Sequence, residues 1–219
     1  MGQPELILLV NRPALEPAPA HEPSVEGPEA VARSVAPRLH AAVELAVSNW
    51  PGEVFLGVAP DLEPGMFRDL EREFCVKLIR QAERDPGARM LSALRAGIAR
   101  QGAAALMGCG MPQGRWDVLD QANDWLAYGR NVLGPTEDGG YYLIGLTQVR
   151  PELFTDIPWE APEVLSLTLR RAEEVGIEFE LLPTLYETDT PPDLRLLGRR
   201  HSVAHTRVIP LSELKPRGH

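Results

Sequence analysis

What most restricts the fold of this chain is the regular alternation of short apolar runs with longer stripes at helical spacing. The run "LILLV" (6–10) is apolar throughout and is closed by Asn11-Arg12-Pro13, the pattern of a short buried strand. From Glu29 to Ser48, Val31, Val35, Leu39, Val43 and Val47 recur at helical spacing. Pro37 falls inside that stripe and predicts a kink or a late start. Strands are expected again at "EVFLGV" (53–58), within "FCVKLIRQ" (74–81) and at "AAALMG" (103–108). Between the last two, 85–102 reads as a helix with Met90, Leu91, Leu94 and Ile98 on its apolar face. A helix at 116–127, strands at 131–134 and 141–146, a glycine-closed helix at 162–176 and a strand at 178–182 follow. The last expected helix lies within 189–200, with Thr190 at the N-cap, Pro191 in the first turn and Asp193 reaching back. The segment from about 201 to 219 carries no clear pattern.

Strands and helices alternating in this way predict one three-layer α/β/α domain over residues 1–219, built on a mostly parallel, mixed sheet of Rossmann-like type. In open sheets of this kind ligands collect outside the carboxyl ends of the strands. Residues 11–28, 81–89, 108–114, 134–140 and 183–190 are therefore where chemistry is expected. The first of these, "PALEPAPAHEPSVEGP" (13–28), is too rich in proline and glutamate for a regular element and reads as an extended loop.

Bulk properties narrow the function. The chain has 219 residues, 44% apolar and 24% charged, as in ordinary globular proteins, and a formal net charge of −9. That charge repels phosphate and argues against nucleic acid as a partner. A small anionic ligand would need local arginines or backbone N–H groups. The two cysteines, Cys75 and Cys109, are far apart and lack metal-ligand spacing, so they read as reduced, mostly buried thiols. Five apolar residues near the start are too few for a signal peptide or a membrane span. The expectation is a soluble, cytoplasmic protein without a membrane partner.

Four stretches are candidates for chemistry. In "GPTEDGGYYLIGL" (134–146), Asp-Gly-Gly between apolar runs is a hairpin signal. The same residues can serve a site: Gly139 and Gly140 allow close backbone approach, and Glu137 or Asp138 can act as a base or bind hydroxyls. In "ETDTPPDL" (187–194), Thr190 and Asp193 suffice for capping, which leaves Asp189 free to bind a hard cation such as Mg²⁺ or Mn²⁺. In "QAERDPGARM" (81–90), Asp85 suits an N-cap, while Gln81 and Arg89 offer polar recognition of a nucleotide. "MGCGMPQG" (107–114) follows a strand but lacks the Gly-x-x-x-x-Gly-Lys phosphate loop. His201 and His205, four apart, read as solvated rather than metal-bound, and no Gly-x-Ser-x-Gly elbow supports a serine hydrolase.

These stretches, in this order, resemble the glycosyltransferase-A-like group of radical-SAM/selenodomain-associated transferases, relatives of sugar-nucleotide transferases and of molybdenum-cofactor-type nucleotidyltransferases. The resemblance is carried by "GPTEDGGYYLIGL", "LFTDIPWEAPEVLSLTLRRAEEVGIEFELLP", "TDTPPDL" and, more loosely, "QAERDPGARMLSAL", and spans about Gln81 to Leu197. It implies a nucleotide-diphospho-sugar transferase fold whose partners are a nucleotide sugar and a small acceptor, with a homodimer compatible. Glu137 and Asp138 would contact the acceptor or act as base, and Asp189 would match the distal metal-binding aspartate. Gln81 and Arg89 would shape the nucleotide pocket, with Arg12 beside it.

The sequence departs from the family pattern at two places. Gly110 stands where members carry the aspartate that holds the divalent metal. The loop after the first strand has Arg12 and a run of acids in place of lysine, threonine and arginine. Without a cation, a phosphate and a carboxylate ~5 Å apart repel by roughly 3 kcal/mol at an effective dielectric near 20, about two powers of ten in affinity. The reaction that the resemblance implies is sugar transfer. The alternatives are nucleotidyl transfer and a catalytically degenerate homologue that binds a ligand or a protein.

Overall fold

A computed structural model describes residues 2–10, 28–58, 65–81, 85–109, 117–159 and 161–185. The elements run in the order β1 (Glu5–Val10), α1 (Pro28–Asn49), β2 (Val54–Val58), α2 (Gly65–Phe74), β3 (Lys77–Arg80), α3 (Pro86–Gln101), β4 (Ala104–Gly108) and α4 (Asp117–Ala127), then β5 (Asn131–Pro135), β6 (Tyr141–Leu146), α5 (Val164–Glu174) and β7 (Phe179–Leu181). The seven strands form one sheet in the order β3-β2-β1-β4-β6-β5-β7. All neighbours pair in parallel except β6, which runs antiparallel to both β4 and β5. The expected three-layer, mostly parallel, mixed sheet is what the chain forms.

Alternation within β1 shows how the layers arise. A strand points successive side chains to opposite faces. Leu6, Leu8 and Val10 join one apolar cluster, with Leu39 and Val43 of α1, Phe67 of α2 and Val118 and Leu119 of α4. Ile7 and Leu9 join the other, with Leu94 of α3 and Ala172 of α5. Both faces of the strand are buried, which is why its sequence reads as a continuous apolar run rather than an alternating one.

Several expectations shift. The first helix does not start late: it is continuous from Pro28 through Pro37 to Asn49. A proline inside a helix costs about 3 kcal/mol; here the buried face of Leu39, Ala42, Val43 and Ala46 offsets it. Val47, expected on that face, is 37% exposed. Helix α2, not foreseen, buries Phe67 and Leu70. On α3, Ala93, Leu94, Gly87 and Gly97 are the buried residues; Met90, Leu91 and Ile98 are only half-buried. Neither cysteine is in a disulfide, and Cys75 is exposed, not buried. It takes a left-handed φ of 56° directly after the last residue of α2, the place where helices turn off. Of the loop expected at 13–28, Pro28 instead opens α1, and 13–27 lie outside the described residues, as does the helix expected within 189–200.

Among the described residues one charged group is fully buried. Glu5 has no exposed surface, and Arg100 of α3 grips it through three hydrogen bonds: Nε donates to Oε1 at 2.9 Å and to Oε2 at 3.1 Å, and Nη2 donates to Oε2 at 2.7 Å. The carboxylate holds the guanidinium pKa above its ordinary value. The guanidinium also lies 4.8 Å from the Phe55 ring centre. Removing one partner of such a pair strands a charge in the interior. Arg100→Ala is expected to lower stability by about 3 kcal/mol, the low end of that effect because water can enter where the arginine leaves. Urea unfolding measures it; a loss below about 1 kcal/mol would mean that Glu5 is solvated without its partner.

Candidate functional site

The carboxyl ends of β1 to β5 and the start of the reversed strand β6 share one rim of the sheet. At that rim lies a cavity of about 330 Å³. Leu9 of β1, Leu106 to Gly108 of β4 and Tyr141, Tyr142 and Ile144 of β6 line it from the sheet. Pro86 and Met90 at the start of α3, Trp159, and Val164 at the start of α5 line it from the helical layer. Thr136, Asp138 and Gly140 come from the β5–β6 turn.

That turn answers the hairpin question both ways. Residues 136–140 join two antiparallel strands, so the acidic Asp-Gly-Gly is a hairpin. They also carry Asp138 to the cavity. The turn is held by backbone bonds: Thr136 N–H donates to the Gly140 carbonyl at 3.0 Å and Gly139 N–H to the Thr136 carbonyl at 3.3 Å. The Asp138 carboxylate accepts from Gly140 N–H at 3.2 Å, an Asx-type bond that fixes its side chain while leaving it exposed. Gly139 does not line the cavity. It has a φ of 92°, and a Cβ there would overlap the Pro162 carbonyl. Its own carbonyl accepts from Leu165 N–H of α5 at 2.8 Å. Gly139 thus docks the turn onto α5, and Gly140 is the glycine that faces the space.

The segment after β7 is sewn to the same turn. Glu137 N–H donates to the Leu185 carbonyl at 3.1 Å and Leu185 N–H to the Pro135 carbonyl at 3.0 Å. The Tyr142 hydroxyl donates to the Pro183 carbonyl at 3.1 Å. Its ring occupies the space that a side chain on Gly134 would need. The described chain therefore ends, at Leu185, beside the acidic turn and four residues before Asp189. Asp189 itself, Arg12 and Gly110 lie outside the described residues. Glu137 is exposed and does not line the cavity.

Gln81 follows β3 and is 5% exposed. Its backbone N–H extends the sheet by donating to the Val58 carbonyl at 3.0 Å. Both of its amide atoms are buried without a partner among the described residues. Leaving such groups unpaired costs about 1–3 kcal/mol each, so a ligand that pairs them recovers that cost. The amide packs over Gly57, next to Leu9, which also lines the cavity. Arg89 lies outside the cavity lining, and its Nε is likewise buried and unpaired among the described residues. Asp85 caps α3 by accepting from Ala88 N–H at 2.7 Å, the structural role open to it.

Tyr141 and Trp159 escaped sequence reasoning as site residues. Tyr141 lines the cavity, but its hydroxyl is buried beside that of Thr168, and among the described residues neither completes a hydrogen bond of good geometry. Burial pushes the phenol pKa well above its ordinary value of 10. Below that value both folded and unfolded chains hold the proton. Above it the unfolded chain loses the proton first, so stability falls as the solution becomes more alkaline. Tyr141→Phe is expected to raise stability by up to about 1 kcal/mol at neutral pH, by removing an unpaired hydroxyl, and to flatten the decline above about pH 10. Thermal melts of the two chains from pH 7 to 11 check both; a less stable variant would reveal a working hydroxyl bond.

Among the described residues no three His, Cys, Asp or Glu side chains gather to hold a metal ion. One carboxylate, Asp138, faces the cavity. These residues do not fit a preformed metal cage. Among them, too, no helix is long and apolar enough to cross a membrane.

The sheet order and the rim cavity define a class: a mixed α/β chain with the fold of nucleotide-diphospho-sugar transferases and cytidylyltransferases. A protein from Desulfovibrio desulfuricans G20, provisionally described as a nucleotide-diphospho-sugar transferase, superposes with a TM-score of 0.73 at 22% identity, over 91% of this chain and 87% of its own. The 4-diphosphocytidyl-2C-methyl-D-erythritol synthase of Anaerococcus prevotii DSM 20548 gives 0.57 at 8% identity, over 89% and 94%. Rv0371c of Mycobacterium tuberculosis H37Rv, in complex with manganese, gives 0.51 at 13%, over 88% and 96%. No curated protein matches the sequence. The chain belongs to the family described as "Uncharacterized protein conserved in bacteria (DUF2064)", whose model matches residues 42–161, over half its length.

Proposed function

We propose that the protein is a glycosyltransferase of the radical-SAM/selenodomain-associated type, moving a sugar from a nucleotide sugar to a small acceptor. The observation that carries this reading is the rim cavity with Asp138, its one cavity-facing carboxylate among the described residues, held at the mouth by its bond to Gly140. Asp138 accepts the proton of an acceptor hydroxyl. The freed oxygen bonds to the anomeric carbon as the bond from that carbon to the phosphate oxygen breaks, and the nucleoside diphosphate leaves. The unpaired Gln81 amide, at the end of β3, reads the base. Arg89 and Arg12 contribute positive charge to the nucleotide side, and Glu137 contacts the acceptor. Asp189 is the chain's ligand for Mg²⁺ or Mn²⁺ brought in with the nucleotide, since Mg²⁺ draws much of its coordination from substrate phosphates and water.

A nucleotidyl transfer, with attack at the α-phosphorus, has equal support from the fold shared with the Anaerococcus synthase. Calorimetry with UDP, GDP and CDP sugars, with and without Mn²⁺, tests the common core of both readings. Micromolar, metal-dependent binding that disappears in Asp189→Ala is expected. No binding of any nucleotide at millimolar ligand removes both and leaves a scaffold without this chemistry. Product analysis then separates them: free nucleoside diphosphate from a nucleotide sugar for sugar transfer, pyrophosphate from a nucleoside triphosphate for nucleotidyl transfer.

A further inference from the structure

Trp50 and Trp125 are core tryptophans, 3% and 7% exposed. Trp159 also packs against the core, yet it stays half-buried and borders the rim cavity together with Asp138. The stretch that carries it is seated at both ends. A Cβ on Gly87, in the first turn of α3, would overlap the Phe154 carbonyl oxygen and lie 3.0 Å from Cζ2 of Trp159. A Cβ on Gly139 would overlap the Pro162 carbonyl oxygen. Glycine at both seats lets the chain from Phe154 to Pro162 span from α3 to the acidic turn in close contact. Between the seats, Phe154 and Ile157 are buried, and Ala161 N–H donates to the Pro158 carbonyl at 2.8 Å. Arg171 of α5 adds bonds from Nη1 to the Glu152 carbonyl at 2.9 Å and from Nη2 to the Asp156 carbonyl at 3.2 Å. The indole is thus held at the cavity by contacts made outside it. A side chain fixed in advance loses little freedom when a ligand packs on it.

Resting on the sugar-transfer reading, we propose that Trp159 is the residue that positions the transferred sugar, its indole packed against the C–H face of the sugar ring. Transfer needs the anomeric carbon beside the acceptor oxygen, whose proton goes to Asp138. The sugar therefore occupies the cavity that Asp138 borders. The base lies off this cavity, at Gln81, which is not part of its lining. A pyranose has an apolar C–H face and a rim of hydroxyls. The cavity offers both kinds of surface, Trp159 from the helical layer and the acidic turn from the sheet. Hydroxyls directed at the turn are paired rather than stranded, and the ring face gains contact with a large, rigid aromatic.

The test compares each nucleotide sugar with its own nucleoside diphosphate. UDP-glucose and UDP, GDP-mannose and GDP, and CDP-glucose and CDP are titrated by calorimetry, with Mn²⁺, into the full chain, Trp159→Leu and Trp159→Phe. For the nucleotide sugar that binds best, Trp159→Leu is expected to weaken binding about ten-fold, the scale of a lost aromatic contact and its area. The matching diphosphate, which does not reach the indole, should bind all three chains within about two-fold. Trp159→Phe, which keeps a ring, should restore most of the loss. Should Trp159→Leu melt early, the parent chain supplies a second reading. Its tryptophan emission should change more with the nucleotide sugar than with the diphosphate, and that excess should vanish in Trp159→Phe. Equal losses for sugar and diphosphate, no loss for either, or no excess emission change would overturn the proposal. Diphosphate binding with a sugar indifferent to Trp159 removes the sugar seat and keeps the transferase. No binding of any nucleotide removes the transferase, and the sugar seat with it.

Discussion

Asp138→Asn is expected to slow turnover by about 10²- to 10⁴-fold, the range for losing a general base, while the melting temperature stays within about a degree. The two halves of that result come from different atoms of one side chain. The stabilising contact is Gly140 N–H donating to Oδ1 at 3.2 Å. An asparagine keeps a carbonyl oxygen there and can make the same bond. What it cannot do is take a proton from an acceptor hydroxyl. The residue is exposed, so no buried charge is created or relieved. Turnover assayed with excess nucleotide sugar, beside a thermal melt, checks both halves. A drop of several degrees with activity intact would make Asp138 a residue of the turn alone.

Gly139→Ala is expected to do the reverse. It should cost about 3 kcal/mol or more, from a left-handed backbone and an overpacked contact together. For a chain of this size that is a fall of roughly 6–12 °C in melting temperature. The reason is geometric: φ is 92°, and the added methyl would overlap the Pro162 carbonyl oxygen. To make room the turn must lift off α5, which strains the bond from Leu165 N–H to the Gly139 carbonyl. Gly140→Ala is the matched control. Its Cβ would sit 3.1 Å from Thr136 Oγ1, a side-chain atom, with no overlap of backbone. A Gly139→Ala chain that melts like the parent would show that α5 can yield to the turn.

The fold was largely written in local patterns. Apart from Glu5 at its start, β1 is apolar throughout, as is β4, because both faces are covered, and such runs need no partner to be recognised. Helix α2 was not legible in the same way. "GMFRDLEREF" is half charged, and its two core anchors, Phe67 and Leu70, identify a buried face only once the sheet beneath is known. The run through Pro37 went against a local rule because packing further along the helix outweighs it. Val47 follows Val43 in the same i+4 stripe yet is partly exposed, because such a repeat drifts around a helix of about 3.6 residues per turn while the buried face continues through Ala46 to Trp50.

The site was legible where chemistry and turn propensity coincide. Asp-Gly-Gly announced a hairpin at the carboxyl rim, and Asp138 stands there. Glu137, its neighbour, does not line the cavity, because adjacent residues in a tight turn point different ways and spacing alone does not say which points in. Gly139 had been assigned to ligand approach together with Gly140; its contact with Pro162, far along the chain, is tertiary and leaves no mark on the turn itself. Tyr141 and Trp159 look like core in sequence, as aromatics beside a strand usually are. Tyr141 becomes lining only when β6 reverses and brings its first residue to the rim, and Trp159 reaches the same space from the segment before α5.

The central claim is that nucleotide-dependent chemistry occurs at this rim, between Gln81 and Asp138. A crystal structure of the chain with a bound nucleoside diphosphate tests it most directly. The account predicts a base paired to the Gln81 amide and a diphosphate on the Asp138 side of the carboxyl rim. A nucleotide seated at the opposite rim, by Trp50 and Cys75, would contradict it.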